Sequence, residues 1–191
     1  MLDNLQKYDI VLASNSPRRR ELLAGLGLDF RVGVLSGVDE NYPSTLPVRE
    51  VAEYIARAKT QAYRLTPHEL LITADTVVIA GDEILGKPAD AADARRMLRL
   101  LSGRSHEVVT GVTVTTRERA EAFSCISRVE FDRLTDDEID YYVARYAPMD
   151  KAGAYGIQEW IGYIGVRGIV GSFYNVMGLP VQRLYQVLKT F

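Results

Sequence analysis

A short stretch near the start of the chain combines a buried strand, a polar turn and a helix start. Residues 8–13 are apolar and β-branched, which is typical of a buried strand, and Ser14-Asn15-Ser16 follows directly. Ser16 before Pro17 is the pattern of an N-cap with proline at the first helical position. Free N–H groups and the positive dipole end make such a turn a candidate anion site.

Further helical and strand patterns alternate along the chain. Helices are predicted over 17–27, 48–65, 90–101, 135–145 and 180–189, and strands over 70–79, 84–85, 108–116 and 120–131. The glycine-rich residues 153–171 are interpreted as strands around a tight loop. This order predicts an α/β fold with a mixed β-sheet and flanking helices. No boundary is evident, so residues 1–191 are expected to form a single domain.

Composition excludes several classes of protein. The formal net charge is −2 over 191 residues, which disfavours a globally basic nucleic-acid binder. The single cysteine, Cys125, and the two histidines are too few for a Cys or multi-His zinc cluster. With no signal peptide and no 18-residue apolar run, we expect a cytoplasmic protein that binds neither membrane nor nucleic acid.

Several charged and polar residues suggest phosphate chemistry, although each also has a structural interpretation. Arg18 and Arg19 place two guanidinium groups in the first helical turn, where cations are unfavourable by ~0.3–1 kcal/mol each unless an anion binds. Alone they fit a solvated helix start equally well. Asp75, followed by Thr76, interrupts an apolar strand, and a buried carboxylate there either closes a turn or acts on a metal or a water.

Isolated residues elsewhere are weaker candidates. Lys87 in Gly-Lys-Pro could be an ordinary lysine of an exposed loop, and Lys59 an ordinary lysine on the surface of a helix. Glu40 belongs to an acidic pair with Asp39 that has no function of its own on this interpretation. Gln158 offers a donor and an acceptor to a base edge but also fits a solvated strand. His106 is interpreted as a surface residue at the start of a strand. Taken together, the cations and carboxylates match the needs of nucleoside triphosphate hydrolysis.

These sites in this order resemble the Maf family of nucleotide pyrophosphatases, which is related in fold to the Ham1-like inosine triphosphatases. The resemblance extends from residue 10 to about residue 188. The matching stretches are LASNSPRRRELL, VDE, ARAK, ITADTVV, ILGKP, LSGRSHEVVTGV, DKAGAYGIQ and NVMGLP. It implies two lobes around a long cleft, a homodimer, and hydrolysis of a nucleoside triphosphate to the monophosphate and pyrophosphate.

The resemblance also implies roles for individual residues. Asp75 corresponds to the proton acceptor for the attacking water, and Glu40 with Asp75 to the residues that hold a divalent cation (Mg²⁺, Mn²⁺ or Co²⁺). The positions that correspond to triphosphate ligands are Ser14, Arg18, Arg19, Lys59 and Lys87.

Three positions resemble the branch of the family that acts on dTTP and UTP: Arg18, Thr76 and Gln158. Glu159-Trp160 departs from that pattern, because a glycine commonly follows the glutamine, and this bulk is expected to affect base fit. The sequence leaves open modified pyrimidine nucleotides as substrates. It also leaves open a nucleotide-binding regulator of cell division and septum formation without essential catalysis.

Overall fold

The computed structural model describes all residues, Met1–Phe191. The strands are β1 (Asp9–Leu12), β2 (Arg31–Val32), β3 (Glu69–Ala80), β4 (Glu83–Leu85), β5 (Ser105–Thr115), β6 (Ala120–Phe131) and β7 (Val166–Val170). The α-helices are α1 (Pro17–Ala24), α2 (Val51–Gln61), α3 (Ala91–Leu101), α4 (Asp136–Tyr146), α5 (Trp160–Gly165), α6 (Phe173–Val176) and α7 (Val181–Leu188). No helix is long and apolar enough to cross a membrane.

The strands form one seven-stranded mixed sheet in the order β2-β1-β3-β5-β6-β7, with β4 paired to β3. Strand β1 runs parallel to both β2 and β3, whereas the β3–β4 and β6–β7 pairs are antiparallel. The predicted α/β fold with a mixed sheet and flanking helices is therefore confirmed. Strand β1 ends at Leu12, opposite Ile72 inside β3, so the turn that follows β1 lies beside the stretch of β3 that leads to Asp75.

The chain forms two compact units. The first comprises Met1–Asp75, Thr110–Cys125 and Gly178–Phe191, and the second comprises Thr76–Val109 and Ile126–Met177. The chain passes from one unit to the other four times, and the first crossing falls between Asp75 and Thr76. The single domain over 1–191 and the long cleft stay predictions.

The core of the first unit joins residues that are far apart in sequence. Ile10 and Leu12 of β1 are buried with Ile72 of β3 and with Leu184 and Leu188 of α7. Burial of such side chains stabilises a fold by about 1.5–3 kcal/mol each. The last helix of the sequence therefore belongs to the core that supports the first strand–turn–helix segment.

Helix α2 packs directly on strand β5 within the first unit. A Cβ atom on Gly111 would lie 2.3 Å from Glu53 N and 2.4 Å from Ala52 O, so only glycine fits beneath the helix. The buried Thr73 hydroxyl donates to Ala56 O at 2.7 Å and ties β3 to the same helix. These contacts fix the position of α2, which carries Lys59.

The interpretation of residues 153–171 as strands around a loop is wrong for most of its length. The structure has a 3₁₀ turn at Ala152–Ala154, helix α5, and only then strand β7. A Cβ atom on Gly162 would lie 1.8 Å from Ile157 O, because the helix packs on the preceding backbone. The glycines here permit close helix packing, a tertiary effect that local patterning does not reveal.

Candidate active site

The turn between β1 and α1 is held by its own serine hydroxyls. Ser16 is the N-cap of α1, and its Oγ accepts a hydrogen bond from Arg19 N at 3.4 Å. Ser14 is buried, and its Oγ accepts from Ser16 N at 3.2 Å. The predicted cap and helix start are confirmed, and the turn presents the positive end of α1.

The Arg19 guanidinium joins three parts of the first unit. Its Nε donates to Gly178 O at 2.8 Å, and its Nη1 donates to Ala74 O at 2.9 Å and to Ser14 Oγ at 3.4 Å. Burial lowers the pKa of Arg19 from its ordinary value, while the nearby Asp75 carboxylate acts in the opposite direction. Arginine remains charged in proteins, so the site keeps a fixed cation beside an acidic residue.

Lys59 lies between two carboxylates. Its Nζ is 2.8 Å from Asp75 Oδ1 and 3.0 Å from Glu40 Oε1. It also donates to Ala74 O at 3.4 Å, the carbonyl that Arg19 binds. The Lys59 and Asp75 side chains are 14% and 16% exposed, so solvent screens this pair less than it screens a surface pair.

The two carboxylates suit a hard divalent cation. No group of three or more His, Cys, Asp or Glu side chains converges anywhere in the structure. Mg²⁺ is commonly bound by one or two carboxylates, and substrate phosphates and water complete its shell. Glu40 and Asp75 share the Lys59 ammonium group and supply a donor set of this kind.

In the second unit, the segments that carry Lys87 and Gln158 are linked through the backbone. Lys87 is exposed, and Gly86 O beside it accepts from Gly153 N at 3.0 Å. Gln158 follows in the next turn, and its Oε1 is buried without a hydrogen-bond partner. Thr76 is partly buried at the point where β3 enters this unit.

The structure divides the predicted site residues between its two units. One group, in the first unit, joins Arg19 to Ser14 by a hydrogen bond and Lys59 to Asp75 and Glu40 by ion pairs, and Arg18 lies close enough to lower the pKa of Arg19. Thr76, Lys87 and Gln158 belong to the second unit, where the hydrogen bond from Gly153 N to Gly86 O links the segments that carry Lys87 and Gln158.

Sequence reasoning missed a polar cluster around Gln158. Tyr142, Lys151 and Glu159 are joined by hydrogen bonds and an ion pair in the second unit. The one signal in the sequence was Glu159-Trp160 after Gln158, which the resemblance marked as a departure from the expected pattern. A tyrosine on an amphipathic helix and a lysine before a glycine-rich stretch carry no such signal.

The interpretation of His106 as a surface residue is wrong. The residue is 3% exposed, and its ring packs edge-on against Phe131 and Tyr155. Its Nε2 lies 2.7 Å from Tyr155 Oη, and Nδ1 has no hydrogen-bond partner. Burial lowers the pKa of His106 to about 4 and raises the pKa of Tyr155, so both groups are neutral at pH 7.

This buried imidazole predicts a loss of stability in mild acid. The unfolded chain takes up the proton near pH 6.5 and the folded protein only near pH 4, so the free energy of unfolding should fall across that interval. The loss amounts to at most about 3 kcal/mol. Urea unfolding of wild type and His106→Gln from pH 7.5 to 4 measures it, and the variant should show a shallower dependence.

His68 provides the matched control, because it is an exposed histidine on a loop. His68→Gln should retain the wild-type dependence on pH. Equal slopes for wild type and His106→Gln would contradict the prediction.

Solved structures share this fold. The Ham1 protein of Staphylococcus aureus aligns with a TM-score of 0.50 at 17% identity, covering 95% of this chain and 98% of that one. A Ham1 protein of Coxiella burnetii aligns with a TM-score of 0.51 at 18% identity, covering 96% and 100%. The fold is therefore that of the Ham1-like proteins.

Sequence comparison identifies the family within that fold. The sequence model described as "Maf-like protein" matches residues 9–191, and the chain belongs to the Maf family. A protein of Bacteroides thetaiotaomicron named dTTP/UTP pyrophosphatase is 60% identical over 191 residues, covering 99% of both chains. Proteins of the same name in Parabacteroides distasonis and Cytophaga hutchinsonii are 58% and 44% identical, covering 100% and 98% of this chain and 100% and 86% of theirs.

Proposed function

We propose that this protein hydrolyses dTTP and UTP to the corresponding monophosphate and pyrophosphate. The observation that carries the proposal is the Lys59 ammonium group between Asp75 and Glu40, at the carbonyl that Arg19 also binds. It combines a candidate proton acceptor with fixed cations, the elements that phosphoanhydride hydrolysis requires. Relatives named dTTP/UTP pyrophosphatase over their full length support this substrate class.

Asp75 is the proposed proton acceptor. Its carboxylate takes a proton from water as the water oxygen bonds to phosphorus, and the phosphoanhydride bond between the α and β phosphates breaks. The electron pair of that bond remains on the departing phosphate oxygen. Lys59 holds the Asp75 carboxylate through Oδ1 at 2.8 Å, which fixes its orientation towards the water.

The cations around the β1–α1 turn balance the charge of the triphosphate. Ser14 and the start of α1 supply hydrogen-bond donors, and Arg18 and Arg19 supply guanidinium groups. A bound phosphate would offset the unfavourable placement of two arginines at a helix start. Lys87 is a further proposed phosphate ligand, as a point charge on an exposed loop.

Glu40 and Asp75 are the proposed ligands of a divalent cation, which the family generally implies. The bound ion, Mg²⁺, Mn²⁺ or Co²⁺, would neutralise charge on the phosphate oxygens. Two carboxylates leave room for phosphate oxygens as further ligands.

Gln158 is the proposed reader of the base, with Thr76 as a second contact. The buried Oε1 of Gln158 has no partner within the protein, and an N–H donor of a ligand would satisfy it. Uracil and thymine share an N3–H group beside carbonyl oxygens, which matches the acceptor and donor of one amide. Cytosine has no N3–H, and a site built for that donor discriminates against a base that lacks it.

A homodimer in the cytoplasm completes the proposal. The free, partly buried thiol of Cys125 fits a reducing compartment. Light scattering of the purified protein tests the dimer.

Release of pyrophosphate from a panel of nucleoside triphosphates tests the activity. We expect dTTP, UTP and 5-substituted uridine triphosphates to react at least about tenfold faster than CTP and the purine triphosphates. EDTA should stop the reaction, and added Mg²⁺, Mn²⁺ or Co²⁺ should restore it. Preferred purine turnover would contradict the substrate class. No turnover with any of the three metals would contradict catalysis and leave nucleotide-dependent regulation of cell division as the function to test.

A further inference from the structure

Glu159 follows the candidate base reader Gln158, and its carboxylate is held from two sides in the second unit. Its Oε2 accepts a hydrogen bond from the hydroxyl of the fully buried Tyr142. Its Oε1 lies 3.2 Å from Lys151 Nζ. The side chain is 20% exposed, so this carboxylate is a fixed and sheltered group.

Lys151 gives this arrangement its cation. Its side chain is 9% exposed, and a buried ammonium group is costly unless it is paired. Its other partner, Asp150 at 2.7 Å, has a side chain that is 56% exposed. Glu159 is therefore the less exposed partner of Lys151. Its removal would leave the ammonium group paired only with the solvent-exposed carboxylate of Asp150.

The Tyr142 hydroxyl connects the carboxylate to the turn that carries Gln158. It accepts a hydrogen bond from Gly156 N at 3.0 Å while it donates to Glu159. Glu159 N in turn donates to Gly156 O at 3.0 Å, which closes a four-residue turn with Gln158 as its third residue. The backbone around the candidate base reader is thus fixed at both ends by one network.

Steric contact reinforces the hydrogen bonds. A Cβ atom on Gly156 would lie 2.7 Å from Glu159 Cδ, so the carboxylate rests on the backbone of the turn. On the other side, the first turn of α5 packs on Ile157 O at Gly162. A displaced Glu159 carboxylate would therefore shift the turn rather than move into open space.

We propose that Glu159, held by Tyr142 and Lys151, is a positioning residue that orients the Gln158 amide and thereby sets the preference for uracil and thymine over cytosine. This inference rests on the proposed function for its substrate class. The buried Oε1 of Gln158 has no partner in the protein to fix its direction, so its orientation depends on a rigid backbone, and the network supplies that rigidity.

Two variants test the proposal with equilibrium binding and kinetics. Glu159→Gln removes the ion pair to Lys151, and Tyr142→Phe removes the bridge between Glu159 and Gly156. The matched control is Tyr146→Phe, which changes a partly buried tyrosine that stacks on Tyr142. For each protein, Kd is measured for the non-hydrolysable α,β-methylene analogues of UTP and CTP, together with KM, kcat and Tm.

We expect both variants to lower the UTP-over-CTP Kd ratio about tenfold, with the control unchanged. KM for UTP should rise while kcat stays within about threefold, because Glu159 and Tyr142 take no part in the proton transfer proposed for Asp75. The double variant should resemble the single variants, because both act through one network.

Altered Tm with an unchanged Kd ratio would overturn the proposal, since it would make the network structural only. Wild-type binding of the UTP analogue without any turnover would contradict the proposed catalysis, and the Kd ratios would still test the role of Glu159. Absence of binding to either analogue would overturn both.

Discussion

Asp75→Asn should reduce kcat for UTP and dTTP by about 10²–10⁴-fold, the contribution typical of a positioned proton acceptor. Asparagine has nearly the same shape but cannot accept the proton from water. The substitution also removes the ion pair to Lys59 at 2.8 Å, although the Nζ atom keeps Glu40 at 3.0 Å. Pyrophosphate release at saturating UTP measures the effect.

The control for this prediction is Glu118→Gln, which neutralises an exposed carboxylate of the same unit. It should keep wild-type turnover. Asp75→Asn that retained more than about a tenth of kcat would contradict its role as the proton acceptor.

Lys59→Met should lower kcat/KM by about 10²–10³-fold, the loss typical when one preorganised donor is removed from a polar site. The methionine keeps much of the side-chain volume but leaves Asp75 and Glu40 without the cation between them. Activity should fall over the whole range of added Mg²⁺, since a metal ion cannot replace the hydrogen bond that orients Asp75. A titration of Mg²⁺ against initial rate measures this.

Arg57→Met provides the comparison from the same helix. Arg57 is 59% exposed and pairs only with Glu53 in an i,i+4 arrangement, which contributes little to stability or activity. Similar losses of activity in Arg57→Met and Lys59→Met would mean that the effect arises from α2 as a whole.

The fold was predictable where one segment carries its own signal. Residues 120–131 match β6 at both ends, and the Thr135 capping box opens α4 as expected. Helix α2 is shorter than the predicted 48–65 at both ends: a 3₁₀ turn occupies Val48–Glu50, and the helix ends at Gln61. Local patterns fix the type of an element more reliably than its ends.

Parts of the candidate site depend on contacts that no local pattern contains. Ala74 O accepts hydrogen bonds from Arg19 and Lys59, which are 40 residues apart in the sequence. The positions of these two cations follow from the parallel β1–β3 pair and from the close packing at Gly111. Burial of His106 likewise depends on Phe131 and Tyr155, which arrive from other elements.

The place of α7 in the first core has a consequence for synthesis of the protein. The β1–α1 turn and Asp75 leave the ribosome early. Leu184 and Leu188, which complete the core of the same unit, are synthesised near the end of the chain. Contacts this distant in sequence delay folding until the partner segment is available. The nascent chain therefore carries Arg19, Lys59 and Asp75 before the core can hold them in place. A chain that ended before residue 178 would lack the helix that completes the core of the first unit.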